Sequence, residues 1–171
     1  DDAKIISENT EKTPISLHGN MHLVREKVLE NFFIDKLCIL RPTLIYGISD
    51  PHNGYGPNKF LRQINNNENI KLFGKGEEMR DHIHIDDVVN VIIKCLLDKY
   101  IGSLNIASGK VISFYNIAKM CLKKNNKSKI NFLPRVGPMP HNGYRKINIK
   151  KLKSLMNTLK FNTLEKYINH Y

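Results

Sequence analysis

The sequence predicts an α/β fold in which strands and helices alternate, with too few strands to complete a sheet of its own. Apolar residues recur at helical three- and four-residue spacing in several segments, and short apolar runs separate those segments. Residues 36–46 form a continuous apolar run typical of a strand buried in a parallel sheet. Such a strand needs a partner on each side, and we identify only one or two short candidates. We therefore expect the missing partners to precede Asp1.

Local signals predict the other elements. Loops are expected where glycine and proline cluster or periodicity is absent, and helices where apolar residues recur at helical spacing or follow a capping residue. Short runs rich in branched and aromatic residues are expected to be strands. These signals give loops at residues 1–15, 48–57 and 134–142; helices at residues 16–32, 58–65 and 150–159 and from Asp86, Ser113 and Asn162; and strands at residues 70–73, 103–107 and 131–133.

Two of these helices are predicted to carry apolar faces, and the face of the second is predicted to pack in the core. In the helix at residues 16–32 the face consists of Leu17, Met21, Val24, Val28, Leu29 and Phe32. In the helix from Asp86 it consists of Val88, Val89, Ile92, Ile93, Leu96 and Leu97. At the last helix, Asn162 and Glu165 have the spacing of a capping box, so Asn162 is the predicted N-cap.

The composition is that of an ordinary globular protein. Of the 171 residues, 41% are hydrophobic, and no apolar run approaches the roughly 20 residues of a membrane helix. The polar start has no basic region followed by an apolar one, so we predict no signal peptide. Because Cys38, Cys95 and Cys121 are dispersed in apolar surroundings, we expect buried, reduced thiols and a cytoplasmic location. The absence of an initiator Met leads us to expect a start inside a longer protein.

The net charge of +11 raises the possibility of nucleic-acid binding. Much of that charge lies in two runs, residues 123–127 and 146–153, and neither is interleaved with the aromatic residues that stack on bases. We therefore expect no nucleic-acid partner. A solvated basic face and attraction to an anionic substrate both remain open.

Residues 70–88 contain the densest set of residue types that bind phosphate. The stretch IKLFGKGEEMRDHIHIDDV joins a short strand, a Gly-x-Gly turn, an Arg-Asp-His cluster and the acidic start of a helix. The planar guanidinium of Arg80 suits bidentate phosphate binding better than a lysine would. Asp81 is expected to orient the backbone or Arg80 rather than to contact an anion. The stretch predicts a phosphate-binding site.

Three segments then resemble a known family. RPTLIYG, FGKGEEMRDHIHIDDV and GSLNIASGKVISF are similar, in this order, to motifs of the extended short-chain dehydrogenase/reductases, the NAD-dependent nucleotide-sugar epimerases and dehydratases. The resemblance implies a C-terminal fragment that lacks the Gly-x-Gly-x-x-Gly half of the Rossmann domain. Residues 1–47 would be the last part of that doubly wound domain, with the active-site helix and a core strand. Residues 48–171 would be mainly the substrate-binding lobe, with return helices packing on the Rossmann sheet.

The resemblance places two histidines at the catalytic positions. The family signature is Tyr-x-x-x-Lys, and the stretch PISLHGNMH has His18 at the Tyr position and His22 at the Lys position. In the family the Tyr exchanges a proton with a sugar hydroxyl, and the Lys holds the nicotinamide ribose. An imidazole can act as acid or base near neutral pH. Three alternatives remain open: a changed but working acid/base pair, a site that binds without hydride chemistry, and unrelated surface histidines.

The same helix has one set of residues at the spacing of metal ligands. His18, His22 and Glu26 have a spacing that metal ligands can adopt, but no further ligand cluster accompanies them. We therefore expect no metal.

The remaining site residues also follow from the resemblance. Phe73 would face the nucleobase and Arg80 the diphosphate. The predicted substrate-binding residues are Asn58, Lys59, Phe73, Arg80 and Arg145, with Arg135 as the second choice after Arg145. NAD or NADP would be bound mainly by the missing half, and the predicted contributors from this chain are His22, Pro42 and Thr43.

The resemblance thus implies an NAD(P)-dependent nucleotide-sugar epimerase/dehydratase-type oxidoreductase. It would bind a nucleoside-diphosphate sugar, have no membrane partner, and form a homodimer at full length. The alternative is a non-catalytic relative that keeps the nucleotide-sugar lobe, an interpretation favoured by His18 and His22 at the catalytic positions. For this chain by itself we expect no activity.

Overall fold

The computed structural model describes residues 5–125, 127–156 and 160–171. Within these residues, helices and strands alternate along the chain, which confirms the predicted α/β class. The elements are β1 (Ile5–Ile6), α1 (Leu17–Phe32), β2 (Cys38–Pro42), β3 (Leu44–Tyr46), α2 (Asn58–Asn65), β4 (Ile70–Phe73), β5 (Met79–His84), α3 (Ile85–Leu97), β6 (Gly102–Ile106), β7 (Val111–Ser113), α4 (Phe114–Leu122), β8 (Ile130–Leu133), β9 (Tyr144–Ile147), α5 (Lys150–Leu155) and α6 (Leu164–His170), with a 3-10 turn at Pro140–Gly143.

The strands form three sheets that are mostly parallel. The largest has the order β1-β9-β5-β3, and β7 pairs antiparallel with β5. Two parallel pairs complete the set, β2 with β6 and β4 with β8. Strand β5 therefore has three partners and lies at the centre of the largest sheet.

The apolar run at residues 36–46 is not one strand, as predicted, but two. Pro42 has no N–H for a ladder, and Thr43 stands between the two pairings: its N–H donates to the Ile106 carbonyl at the end of β6, and its hydroxyl donates to the Asp81 carbonyl on β5. Strand β2 accordingly pairs with β6, whereas β3 pairs with β5. The chain passes from one sheet to the next at Thr43.

Four strands were not predicted: β1, β5, β7 and β9. The loop predicted at residues 1–15 contains β1, and the stretch after the Gly-x-Gly turn contains β5. Strand β5 reads MRDHIH, and its residues 80–83 are all buried although three of them are polar. Because polar residues occupy buried positions, the strand shows neither alternation nor an apolar run.

The helix boundaries follow the local signals closely, with one correction. Helix α2 has the predicted bounds, and Ser113 caps α4 by accepting a hydrogen bond from the Asn116 N–H. The predicted N-cap Asn162 is wrong: Thr163 caps α6, while the Asn162 N–H and side-chain amide donate to Asp87. Helix α5 ends at Leu155, and the predicted end at residue 159 lies outside the described residues.

Two apolar cores flank the central sheet. One joins β3, α2, β4, α4 and α6, and the other joins β5, β6, α3 and α5. The first contains Tyr46, Phe60, Leu61, Ile64, Ile70, Leu72, Ile117, Ala118, Cys121, Tyr167 and Ile168; the second contains Ile83, Val88, Val91, Cys95, Leu104, Ile106 and Leu152. Since β3 contributes to one core and its partner β5 to the other, this strand pair joins them.

The predicted apolar face of α1 is not covered by any part of the chain that the structure describes. No residue of α1 is buried, and Met21 and Phe32 are 64% and 78% exposed. The predicted face of α3 is only partly right, because Val88 is buried but Leu96 is 72% exposed. Among the described residues, no helix has the length and hydropathy needed to cross a bilayer.

Candidate functional site

Strand β5 carries a row of buried polar side chains where three other strands meet. Arg80, Asp81 and His82 are 7%, 0% and 3% exposed. Charged side chains are almost never fully buried unless they are paired. Alternation along a strand directs Arg80 and His82 to one face of the sheet and Asp81 to the other. This row is the starting point of the candidate site.

The Arg80 guanidinium is held by three groups. Its Nη2 lies 2.5 Å from Glu78 Oε1 and donates to the Pro140 carbonyl at 2.6 Å, and its Nη1 donates to the Met79 carbonyl. Burial lowers the Arg80 pKa, and the Glu78 carboxylate opposes that shift. The guanidinium is therefore fixed in place by one carboxylate and two neutral carbonyls.

Two further arginines lie close to Arg80. Arg135 Nη1 lies 3.3 Å from the second oxygen of Glu78, so this carboxylate bridges two guanidiniums. Arg145 on β9 stands directly opposite Arg80 in the strand pairing, and Arg145 Nη1 donates to His141 Nε2 at 2.5 Å. Burial lowers the Arg145 pKa, and Arg145 and Arg135 each lower the Arg80 pKa.

Like charges directly opposite on neighbouring strands destabilise a sheet. Here the Glu78 carboxylate pairs with Arg80 and Arg135, while Arg145 stands opposite Arg80 and contacts the His141 ring, so the four side chains Arg80, Arg135, Arg145 and Glu78 carry an excess of two positive charges. An anion with two negative charges would relieve that repulsion. We call these three arginines and Glu78 the arginine cluster.

On the opposite face of β5, Asp81 binds a loop. Its Oδ1 accepts hydrogen bonds from the Ser108 N–H and hydroxyl, both at 2.8 Å, as expected for a carboxylate that orients the backbone. Burial raises the Asp81 pKa against the effect of these hydrogen bonds. Asp81 does not contact Arg80, so its role is to fix the loop after β6 against β5.

Phe73 lies at the edge of the arginine cluster. Its side chain is 59% exposed at the end of β4, and its carbonyl accepts a hydrogen bond from Arg135 Nη2. The turn that follows requires its glycines, because Gly74 and Gly76 have φ values of 59° and 69°. A Cβ at Gly76 would also lie 3.0 Å from the Tyr115 backbone nitrogen. The turn thus holds Phe73, whose ring is exposed and whose backbone carbonyl contacts Arg135.

Asn58 and Lys59 begin α2 in a separate network. The Asn58 amide donates to the Gly47 carbonyl and to Asp50 Oδ2, and its oxygen accepts from the Tyr167 hydroxyl at 2.9 Å. Asn58 is buried and Lys59 half-buried. The structure connects Asn58 to the loop after β3 and to α6 rather than to Arg80, and its amide is fully used by these contacts.

The two predicted catalytic histidines lie together on α1. His18 Nε2 and His22 Nε2 are 3.1 Å apart, and Arg25 Nη2 lies 2.5 Å from His22 Nδ1. Both imidazoles are exposed. The helix begins at the N-cap Ser16, whose side chain accepts from the Gly19 N–H. The structure brings the pair together and adds a guanidinium that the sequence interpretation did not include.

Glu26 is hydrogen-bonded to other side chains and not to the two histidines. It accepts hydrogen bonds from Arg41 and Lys12, and although burial opposes ionisation these bonds lower its pKa to about 2. In the described part of the chain, no three His, Cys, Asp or Glu side chains are grouped as metal ligands would be. The predicted cofactor contributors Pro42 and Thr43 lie at the break between β2 and β3, with Pro42 exposed.

Two residues at or near the site, Glu78 and His84, were missed from the sequence. Glu78 lies two positions before Arg80, so it would have been placed on the same face had β5 been recognised. His84 packs its ring against Tyr46 and Tyr167, with centroids 5.2 and 5.4 Å apart. The signal for His84 is weak, because its contacts come from distant segments.

Comparisons with known proteins agree with this fold. The sequence profile of the NAD dependent epimerase/dehydratase family matches residues 1–107. A curated relative, dTDP-4-dehydro-6-deoxy-D-allose reductase from Streptomyces bikiniensis, is 27% identical over 106 residues, which cover 58% of this chain and 30% of the relative. The chain thus spans less than a third of the length of that protein.

Solved structures match almost the whole chain. UDP-glucuronic acid 4-epimerase from Bacillus cereus, in complex with UDP-glucuronic acid and NAD, has a TM-score of 0.82 at 25% identity, covering 96% of this chain and 54% of that one. UDP-glucose 4-epimerase from Thermotoga maritima, with UDP-glucose, has a TM-score of 0.79 at 22% identity, covering 96% and 56%. The chain spans about half the length of these proteins.

Proposed function

This chain belongs to the NAD dependent epimerase/dehydratase family, and we propose that it supplies the substrate-binding part of an NAD(P)-dependent epimerase/dehydratase-type oxidoreductase that acts on a nucleoside-diphosphate sugar. The observation that carries the proposal is the arginine cluster, in which Glu78 pairs with Arg80 and Arg135 and the third guanidinium, Arg145, stands opposite Arg80 without a carboxylate of its own among the ion pairs of the described residues. A diphosphate esterified at both ends carries two negative charges, which equals the excess positive charge of the cluster.

In this proposal the diphosphate lies against Arg80 and Arg145, on adjacent strands. Each guanidinium presents a fork of donors that matches phosphate oxygens. In the free protein these donors reach weaker acceptors, the Pro140 carbonyl and the His141 ring, which a phosphate oxygen would replace. The exposed ring of Phe73, beside Arg135, offers the nucleobase an apolar surface.

Asn58 and Lys59 remain proposed substrate-side residues. The side-chain nitrogen and oxygen of Asn58 already have hydrogen-bond partners. Asn58 would therefore contribute by holding the loop after β3 in position. Lys59 lies half-buried beside it and would add a positive charge at the start of α2.

The catalytic part of the proposal rests on α1. His18 would take the proton of the sugar hydroxyl, and His22 would bind the cofactor ribose, with Pro42 and Thr43 as further contacts. The family Lys supplies a permanent positive charge, and Arg25 brings such a charge to within 2.5 Å of His22. NAD or NADP, when bound, supplies the hydride acceptor. The sequence contains no Gly-x-Gly-x-x-Gly, so most of the cofactor contacts would come from outside these 171 residues.

A second candidate function is a non-catalytic relative that binds the nucleotide sugar without hydride transfer. The observation that favours it is the occupation of both catalytic positions by the exposed histidines His18 and His22. Turnover assays on the longest product of the gene separate the two functions. The second function is supported if the protein binds a nucleotide sugar but neither turns it over nor binds NAD(P). The first is supported if the protein turns the nucleotide sugar over and His18→Ala abolishes that turnover.

The test of substrate binding is calorimetry on this chain with UDP- and dTDP-sugars. We expect Arg80→Ala to weaken binding by about 1.5–3 kcal/mol, because charged hydrogen bonds contribute in that range. Arg80→Lys keeps the charge but loses the fork of donors, so it separates charge from geometry. Lys71→Ala, an exposed position on β4, is the matched control. Unchanged affinity in a folded Arg80→Ala variant would contradict the diphosphate assignment.

A further inference from the structure

The geometry points to His141 as an additional ligand of the diphosphate, and we propose that binding of the nucleotide sugar is coupled to uptake of one proton by this imidazole. The inference rests on the proposed function of the arginine cluster. It adds to that function a residue and a pH dependence that the arginines by themselves do not provide.

The turn Pro140–Gly143 contacts both arginines that would hold the diphosphate. The Pro140 carbonyl accepts from Arg80, and the imidazole of His141 lies with Nε2 2.5 Å and Nδ1 3.3 Å from Arg145 Nη1. A guanidinium is only a donor, so the nitrogen that meets Arg145 must be an unprotonated acceptor. In the free protein His141 is therefore neutral and occupies a position suited to a phosphate oxygen.

The backbone directs His141 towards this position. His141, Asn142 and Gly143 have consecutive left-handed φ values of 52°, 50° and 77°. Such values are uncommon for residues other than glycine, and His and Asn are enriched among the exceptions. Unfavourable backbone conformations of this kind cluster at ligand-binding sites, where the surroundings hold them. The two contacts with Arg80 and Arg145 are the surroundings that hold this turn.

Charges from two strands surround His141. Arg145 on β9 and Arg80 on β5 face it, and the carboxylate of Glu78 is already paired with Arg80 and Arg135. Burial, together with the charges of Arg145 and Arg80, lowers the His141 pKa to about 4. A protonated imidazole is thus disfavoured while no anion is bound.

A bound diphosphate would raise the His141 pKa again. Its negative charges would offset those of the arginines and give the protonated imidazole a charged acceptor. If the bound-state pKa returns to the ordinary value of about 6.5, the affinity should be about 10-fold higher at pH 5.5 than at pH 7.5. The direction follows from the sign of the change: because the bound state has the higher pKa, it holds more protons, and lowering the pH favours binding.

The experiment is titration calorimetry of the chain with UDP-glucose at pH 5.5, 6.0 and 7.5, in two buffers of different ionisation enthalpy. Each phosphorus of this ligand has one ester bond and one anhydride bond and therefore a single, strongly acidic hydroxyl, so the diphosphate itself does not titrate in this range. We expect binding to take up about 0.8 proton at pH 6.0, and we expect the affinity to be about 10-fold higher at pH 5.5 than at pH 7.5. In His141→Asn both should disappear, since asparagine tolerates the left-handed conformation and can accept from Arg145 but does not titrate.

His170→Asn, on α6, is the matched control and should keep the wild-type proton uptake. Binding without proton uptake in the wild type would overturn the assignment of His141 and leave the proposed function intact. Proton uptake that persists unchanged in His141→Asn would also overturn it. No binding of UDP-glucose at any pH would overturn both the inference and the proposed function.

Discussion

Glu78 determines the charge of the candidate site at the scale of single residues. Its two oxygens meet Arg80 and Arg135 at 2.5 and 3.3 Å, so it holds the guanidiniums at a defined separation before any ligand arrives. A buried ion pair that is broken on one side leaves an uncompensated charge, which is strongly destabilising. We infer that Glu78 keeps the cluster folded in the free protein while leaving enough positive charge to attract an anion.

The burial of His82 predicts that the free energy of unfolding depends on pH in the acid range. It is buried against Phe114, and neither ring nitrogen has a hydrogen-bond partner within the described residues. Burial lowers its pKa to about 4. The unfolded chain, with a pKa near 6.5, then binds more protons between pH 6.5 and 4, so stability falls as the pH falls through this window.

From pH 7 to pH 5 this effect amounts to about 2 kcal/mol. We expect His82→Phe to remove that part of the pH dependence, because a phenyl ring can keep the edge-on contact with Phe114 without titrating. Urea unfolding at both pH values measures it. If the free energies of unfolding of the wild type and His82→Phe change equally between pH 7 and 5, His82 does not titrate as described.

Arg80 was selected because it stands in a segment that resembles a family motif and because its fork of donors suits phosphate. The structure places it in a cluster of guanidiniums, and its role as a diphosphate ligand remains a prediction. His141 and Glu78 were not selected, because their importance comes from neighbours on other strands. Arg145 and Pro140, which His141 and Arg80 contact, are brought near β5 only by the pairing with β9.

At the scale of elements, α2 is tied to α6 by one buried hydrogen bond. The Tyr167 hydroxyl donates to Asn58 Oδ1 at 2.9 Å, and burial raises the Tyr167 pKa to about 12. We expect Tyr167→Phe to lower the free energy of unfolding by about 1–3 kcal/mol, because it leaves a buried amide oxygen without its partner.

Urea unfolding at neutral pH measures this difference, and Tyr115→Phe, at a partly exposed position on α4, is the matched control. If Tyr167→Phe proved as stable as Tyr115→Phe, the hydrogen bond would not contribute to the attachment of α6.

Elements with one strong local signal were predicted with nearly the right bounds. Helix α2 and strand β4 match the prediction, and Ser113 caps α4. Strand β5 was missed because its buried positions carry Arg80, Asp81 and His82, so hydrophobicity gave no signal there. The break between β2 and β3 was missed because both strands are apolar and differ only in their partners.

At the scale of the whole molecule, two apolar cores meet at the pairing of β3 with β5. The candidate site lies on the same strand β5, where β7 and β9 join it. The predicted boundary between two parts of the chain, after residue 47, remains a prediction. Strand β3 precedes this boundary but pairs with β5, which follows it. The order of the motifs was sufficient to predict the family, because it depends on sequence spacing and not on knowing which strands are neighbours.

The uncovered apolar face of α1 is a surface available for further packing. Helical periodicity predicted that its residues share one face of the helix, and in the structure Met21 and Phe32 on that face are exposed. Periodicity reports which face is apolar, not what covers it. Homodimer formation at full length, and catalysis by His18 and His22, remain predictions.

The most direct test of the proposed site is a crystal structure of this chain with UDP-glucose. We predict that the diphosphate lies within hydrogen-bond distance of the guanidiniums of Arg80 and Arg145, with the uracil against Phe73. A sugar nucleotide bound elsewhere, with Arg80 still held only by Glu78 and the carbonyls of Met79 and Pro140, would contradict the assignment.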